Sequence, residues 1–454
     1  MTPILMSVLI AVAPALLGYG VVRWLRAPWP PAAQVGAGMV LGPPLTSLLL
    51  FGTSELGAGL HSWVAWTIAG SGLVLCGAAI WRAPAPSPQR AGATIAPIVG
   101  AAVVAGVLAL QLLAYPAPRG DGFAHFDTKA RFFIADDGPW LFLEDPETFA
   151  LHNDYPLHQP YLMDFGYLFA DDLKGLYSLA GSWLMVPGAV LFLGSLAASA
   201  GSAIAGLLLA AFAALAPGLR MYASAGYADP HVGAILAVAA GGVAVGGRGP
   251  VIAGLAAGLM VWVKLEGAVH LCVLGAAVVL LRPWPVRAAV RWVVVAMATA
   301  AIWPATVYLR GAGIALGEGV PQSPPGERAQ LILESFGSSI GHPESKFHLL
   351  LLAALIGAIG AVLTGPRRIA GRAGAILLAA VAAEMTINFL RAPALHLQAD
   401  VARRLLVQVF PFALFVLAMQ LDSALRSRAA LRPTGAEHSK TAIPREPFEG
   451  SSAS

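Results

Sequence analysis

Charge is what this chain has least of. Asp, Glu, Lys and Arg make up 11% of its 454 residues, against about 25% in an ordinary soluble domain. That scarcity excludes a highly charged disordered chain. It also argues against the two or three soluble domains expected at this length. Cysteine is nearly absent. Cys76 and Cys272 both lie in apolar segments, so they read as packing residues, and neither a disulfide nor a zinc cluster is expected. No basic run occurs and the net charge is only +4, so no nucleic-acid partner is expected. Lysine is scarce too, 5 residues against 23 arginines, a compositional bias that fits a bacterial genome rich in G and C.

What the chain does have is apolar sequence. Hydrophobic residues make up 57% of it, with a mean hydropathy of +0.73. Runs of about 17 to 25 apolar residues are what a helix needs to cross a bilayer core of roughly 30 Å. About thirteen such stretches recur, near 3–22, 34–52, 62–81, 95–115, 176–197, 202–217, 229–246, 249–264, 267–281, 288–308, 347–364, 370–389 and 404–424. The expectation is an all-α polytopic membrane protein, because backbone polar groups in lipid must be satisfied within each helix. Residues 1–425 form one transmembrane domain in this reading. The first stretch lacks a basic leader region and is read as a retained helix. Residues 426–454, rich in Pro, Ser and charge, read as a disordered tail.

Short loops set the orientation. Arg23 and Arg26, Arg82 and Arg90, Arg248, the group Arg282, Arg287 and Arg291, and the group Arg367, Arg368 and Arg372 fall in alternate loops. Counting crossings puts them all on one side, with the tail, and that side should be cytoplasmic. The loop 116–175 then lies outside, as do 218–228, 264–266, 309–346 and 390–403. Of the 24 acidic residues, eleven fall within 121–172. A carboxylate-rich outer face over a plain cytoplasmic one points to binding or chemistry at the outer leaflet.

Five stretches carry that chemistry. "GDGFAHFDTKARFF" sets Asp121 just after the fourth apolar run, with Asp127, Lys129 and Arg131 on a short interfacial helix. Asp121 is either a solvated loop carboxylate or a general base whose pKa partial desolvation brings into a useful range. "LHNDYPLHQPYL" holds His152, Asp154, Tyr155 and His158 about two prolines four apart, a shaped loop whose His152, Asp154 and His158 could form a metal site, though no spacing is diagnostic for zinc. "GYADPHV" puts Asp229 at a helix start, where a carboxylate also serves as a cap. "WVKLEGAVH" puts Lys264 and Glu266 at a corner between two apolar helices. Ionisable groups at that depth are functional by default, unless they simply pair with each other. "ADVARRLLVQVFP" sets Arg403 and Arg404 at the outer start of the last helix, suited to a phosphate or to snorkelling at the interface. Glu384 has no evident partner in the sequence.

At these motifs the chain resembles the GT-C superfamily of polytopic glycosyltransferases. The likeness is to its family 39-like branch, related to the lipid A aminoarabinose transferases and the protein O-mannosyltransferases. The first loop of that branch reads approximately "WDAxxxWxxKAKxxF", then "HxDYPPLLP". Here Asp121 takes the acidic position and Lys129 the lysine position, with Phe126 where the branch has Trp. His152, Asp154, Tyr155, Pro156 and Pro160 fall on the second motif. "GYADPHV", "VKLEGAV" and "RRLLVQVFP" resemble the later "YADLPLA", "KNEGL" and "DRLLLQLLP". The likeness spans about residues 115–425. Gly120 in place of Trp, and Ala399-Asp400 before the final arginines, depart from the pattern and bear on the substrate.

The resemblance implies a GT-C-like bundle in a bacterial plasma (inner) membrane, with its active site facing the outside. It implies transfer of a sugar, with inversion, from a polyprenyl-phosphate donor to a hydroxyl of a glycan, lipid or protein acceptor. Asp121 would be the general base. Arg403, Arg404 and Lys264, with Lys129 as a further candidate, would stabilise the leaving phosphate. His152, Asp154 and Tyr155 would hold acceptor or sugar, and Asp229 and Glu266 would complete the site. No cofactor and no metal are implied. The alternative class is a flippase or transporter of lipid-linked glycans, which would carry charges across the full membrane depth. The absence of an internal repeat weighs against it.

Overall fold

The structure is a computed structural model. It describes residues 1–82, 91–144, 155–246, 249–310, 345–365, 368–391 and 398–431. Side chains are described for these except at 91–94, 203, 217–218, 345–349, 387–391, 398–406 and 428–431.

Every regular element among the described residues is helical. Four long helices come first: Pro3–Trp24 (α1), Pro31–Glu55 (α2), Ser62–Arg82 (α3) and Ala91–Ala114 (α4). Thr2 caps α1 by accepting from the Leu5 N–H. Proline stands in the first turn of both α1 and α2, where its missing N–H costs nothing. A π-helical stretch, Gly122–Asp127, leads into Thr128–Ala135 (α5), followed by Trp140–Glu144 (α6), His158–Ala170 (α7), Gly175–Ala180 (α8) and Met185–Ser199 (α9). Then come Ala203–Leu215 (α10), Pro217–Ser224 (α11), Asp229–Val245 (α12), Pro250–Val263 (α13) and Gly267–Leu281 (α14). Val286–Ala300 (α15), Ile302–Arg310 (α16), Ser345–Thr364 (α17), Ile369–Arg391 (α18) and Gln398–Leu431 (α19) complete the chain.

Each apolar stretch picked out in the sequence is helical over most of its length, with 176–197 divided between α8 and α9, 288–308 between α15 and α16, and 202–217 ending at the start of α11. Among the described residues, eight helical segments are long and apolar enough to cross a membrane, and five shorter apolar helices lie among them. Large hydrophobic side chains stand exposed along the flanks of α1, α3, α4, α15 and α17, among them Leu73, Val74, Leu110, Val294 and Ile356. A belt of that kind is stable against lipid and would aggregate in water. The chain is an all-α, multi-pass membrane protein.

The centre of the bundle is α12, "DPHVGAILAVAAGGVAV", whose residues are buried from Asp229 to Ala244. It packs on α2, α9, α13, α14, α18 and α19. A helix apolar on all sides belongs in such a core, and small residues let its neighbours come close. Gly233 faces the α19 backbone at Val407 and Gln408, so near that a Cβ would stand 2.8 Å from the Gln408 carbonyl oxygen. That approach brings the start of α12 against the N-terminal part of α19.

The two ends of the bundle differ in charge. At one end, Arg82 lies over the Trp24 ring, and Gly246 lies beside Pro283 and the Arg372 guanidinium. At the other, Asp137 accepts from the Leu60 N–H, Asp171 from Ser62, and Glu55 from Trp140 and Arg310. Among the described residues, Arg82 and Arg372 thus lie at one end, and Asp137, Asp171 and Glu55, with Arg310 beside them, at the other. The last helix runs to Leu431, past residue 425, and the remainder of the tail lies outside the described residues.

Candidate functional site

The carboxylate-bearing end is built around the corner between α13 and α14. α13 stops at Val263, Lys264 and Leu265 turn the chain, and α14 starts at Gly267, where a Cβ would collide with the Met260 carbonyl. Only glycine lets the two helices meet that tightly. The corner aims Lys264 at the first turn of α12, where its Nζ is 2.7 Å from Asp229 Oδ1 and 3.8 Å from Glu266 Oε1. Lys264, Asp229 and Glu266 are all buried. The residue at the N-cap of α12 is Ala228, and the Asp229 carboxylate next to it is a partner for Lys264. Its place in the first turn of α12 still suits its charge.

From Asp229 a chain of polar groups runs into the bundle. Gln408 on α19 donates from Nε2 to Asp229 Oδ1 at 2.9 Å, and its Oε1 is 3.3 Å from His270 Nε2. That same His270 nitrogen on α14 lies 2.7 Å from Glu384 Oε1 on α18. The approach is a close contact rather than an aligned hydrogen bond, since neither Glu384 oxygen has an aligned donor among the described residues. Glu384 therefore has a partner that the sequence does not reveal. His270, Glu384 and Gln408 are fully buried. Buried ionisable groups are costly unless they are paired and hydrogen-bonded, and this pair is close without an aligned bond.

A second polar chain joins α7 to this place. His158 Nδ1 is 2.7 Å from Ser47 Oγ, which also receives the Trp262 indole N–H at 3.0 Å. The other ring nitrogen, Nε2, is 3.3 Å from His231 Nδ1, two residues beyond Asp229. Burial lowers the pKa of His158 well below its usual value, and the charge of His231 adds to the effect, so the ring is neutral. Just before α7, the Tyr155 ring lies 5.9 Å from Lys264 Nζ, at the outer limit of a cation–π contact.

The Asp121 stretch reaches the same end. The Arg119 N–H donates to the Ala225 carbonyl at 3.1 Å, and Arg119 Nη2 donates to Ser224. Gly122 presses on Ala225 so closely that a Cβ would strike that carbonyl. This docking sets residues 119–122 on the segment immediately before Asp229. Asp121 is half-buried at the start of the π-helical turn, a distortion of the kind found at functional sites.

Beyond it, Asp127 and Lys129 are buried at 1% exposure, not set out on an open interfacial face. Asp127 accepts from Arg131 Nε at 2.9 Å and from the Tyr167 hydroxyl. Asp164, one turn before Tyr167 on α7, is fully buried with no hydrogen-bond partner for either oxygen among the described residues. Burial, and then the negative charge of Asp127, raise its pKa well above the usual carboxylate value, so Asp164 is held neutral. α7 itself is buried from His158 to Phe169, so it is a core helix. Pro160 fits its first turn because no intrahelical bond is needed there.

Of the residues singled out in the sequence, Tyr155, Asp229, Lys264 and Glu266 come together, and Asp121 lies on the strip that docks before Asp229. Lys129 is buried on α5, as are Ala130 and Phe133 on the same helix. Arg404 stands one helical turn before Gln408 on α19, with Arg403 beside it. His152 and Asp154 lie outside the described residues. Both cysteines are free, Cys76 buried and Cys272 exposed. No group of three or more His, Cys, Asp or Glu side chains suited to a metal occurs among the described residues. Ser47, His158, His231, His270 and Gln408 add to the site. Four of them stand in or beside the quoted motifs, and the signal they offered was a polar group in an apolar helix. Ser47 offered none.

Comparison of the chain with family models, with curated proteins and with solved structures finds no match.

Proposed function

We propose that the protein is an integral membrane glycosyltransferase of GT-C type, a bundle of about thirteen transmembrane helices in the bacterial plasma membrane with its site at the outer face. It moves a sugar from a polyprenyl-phosphate donor to a hydroxyl of an envelope glycan, lipid or protein. The observation that carries this reading is convergence. Segments from five stretches, spread from residue 119 to residue 408, meet at one end of the bundle around the buried Lys264–Asp229–Gln408 cluster.

In this reading Asp121 takes the proton from the acceptor hydroxyl. The hydroxyl oxygen attacks the anomeric carbon from the face opposite the phosphate. The carbon–oxygen bond to phosphate breaks, and polyprenyl phosphate leaves with the electron pair, so the configuration inverts. The leaving group is a weak base, and it needs positive charge more than a proton. Lys264 is already committed to Asp229, which makes it a strut that positions the corner. The phosphate then falls to Arg403 and Arg404, at the outer start of α19 and next in register to the Gln408–Asp229 contact. His152, Asp154 and Tyr155 hold acceptor or sugar.

A second reading draws on the His270–Glu384 pair, which sets ionisable groups inside the helical bundle. A flippase or transporter of lipid-linked glycans uses charges at such depth. The two readings part at the arginines and at turnover. Arg404→Ala should weaken binding of a polyprenyl-phosphate sugar by roughly 1.5 to 3 kcal/mol, the range of a lost charge-assisted contact. Arg404→Lys should restore only part of it, since an ammonium lacks the guanidinium fork. Binding measured on purified protein in nanodiscs tests this, and unchanged affinity in the Ala variant would return Arg404 to a snorkelling role. Release of free polyprenyl phosphate upon adding acceptor separates an enzyme from a carrier.

A further inference from the structure

At the arginine-bearing end, opposite the candidate site, a cavity of about 300 Å³ opens between the α9–α10 turn, the α17–α18 turn and the final turns of α19. Asp422 on its wall is fourteen residues beyond Gln408, about 21 Å along the helix at 1.5 Å per residue. We infer that this cavity is an anion site for a phosphate group, supplied by an acidic lipid headgroup of the adjoining leaflet or by dissolved phosphate.

Three features of its wall point to an anion. First, the opening turn of α18, Ile369 to Gly371, lines the cavity. The first turn of a long helix presents backbone N–H groups that have no intrahelical acceptor, together with the positive end of its dipole. Second, Arg368 and Arg426 both line it. Arg426 is held 2.6 Å from Asp422, itself on the wall, and also bonds the Gly201 carbonyl. Arg368 is exposed, and no described carboxylate pairs with it. The wall therefore carries two guanidinium groups against one carboxylate.

Third, Ser202 lines the cavity with its side chain buried and its hydroxyl without a partner. Ser202 stands at the N-cap of α10, where serine ordinarily accepts from the helix's own N–H groups, yet it makes no such bond. A buried hydroxyl left unbonded is costly, and a phosphate oxygen would satisfy it. Nothing in the proposed sugar transfer uses these residues, so the inference stands or falls apart from that reading.

Native mass spectrometry of the purified full-length protein tests it. The lipids are phosphatidylglycerol and phosphatidylcholine with identical acyl chains, each with and without millimolar inorganic phosphate. The wild type should retain phosphatidylglycerol in preference to phosphatidylcholine. Ser202→Ala and Arg368→Gln should each lower that retention about tenfold or more, as expected for lost bonds to a charged group, and leave phosphatidylcholine unchanged. Neither side chain has a structural bond to lose among the described residues, and an unaltered unfolding temperature checks that both variants fold. Retention that inorganic phosphate does not displace assigns the lipid headgroup. Thermal stabilisation by inorganic phosphate, lost in both variants and without lipid preference, assigns the dissolved anion. Equal retention of the two lipids with no phosphate effect, or variants that bind as the wild type does, would overturn the inference.

Discussion

Asp121 and Asp127 lie six residues apart and meet different fates. Asp121 is half-buried on the strip that docks before Asp229, while Asp127 is closed inside, held by Arg131 and Tyr167. Asp121→Asn should therefore keep the fold and donor binding while turnover falls by about 10² to 10⁴, the range for a positioned acid–base group. Asp127→Asn should lose stability, by about 1 to 3 kcal/mol for a buried bond to a charged group, with turnover per folded molecule preserved. Unfolding temperatures and rates measured side by side separate the two. Loss of turnover in folded Asp127→Asn, with Asp121→Asn active, would reverse the assignment. Asp164 gives a test by pH. Its carboxyl is neutral in the fold because burial and Asp127 raise its pKa well above 3.8, whereas in the unfolded chain it ionises near that value. The unfolded state thus releases its proton first, and stability falls as pH rises from about 4 toward the folded value. Asp164→Asn cannot ionise, so its unfolding temperature should decline less than that of the wild type between pH 5 and pH 8. A wild type that gains on the Asn variant over that range would contradict the neutral carboxyl.

At the scale of elements, the apolar runs could be read directly because lipid imposes length and hydrophobicity on each crossing helix. α7 was harder to read. Its prolines and polar residues resemble a loop, yet Pro160 falls in the first turn, where the helix tolerates it, and the polar side chains turn inward to His231, Ser47 and Asp127. The site was legible where it carried charge, at Asp229, Lys264 and Glu266. The links between them were not, because Gln408, His270 and Ser47 gain meaning only when distant helices meet. The α1–α2 crossing depends on another such meeting. Gly18, Gly38 and Gly42 bring the two backbones together, and a Cβ on Gly42 would overlap the Pro14 carbonyl. Both are backbone groups, so the helices must separate to make room. Gly42→Ala should lower stability by about 1 to 3 kcal/mol, the cost of overpacking, while Gly52→Ala on the same helix, where the space is open, should be neutral or better. Equal unfolding temperatures for the two variants would show that the crossing is looser than the structure has it.

For the whole molecule, the described carboxylates Glu55, Asp137 and Asp171 gather at one end of a helical bundle and Arg82 and Arg372 at the other, with an apolar belt between them. The proposed function assigns sugar transfer to the first end, and the measurement that bears on it most directly is made on envelope material. Cells lacking the chain are complemented with the wild type or with Asp121→Asn, and their envelope lipids and glycans are compared by mass spectrometry. The account predicts that one sugar is missing from an envelope acceptor in both the empty cells and the Asp121→Asn cells, with its polyprenyl-phosphate donor accumulating, and that the wild type restores it. Identical envelope sugars in all three strains, with an unchanged donor pool, would contradict it.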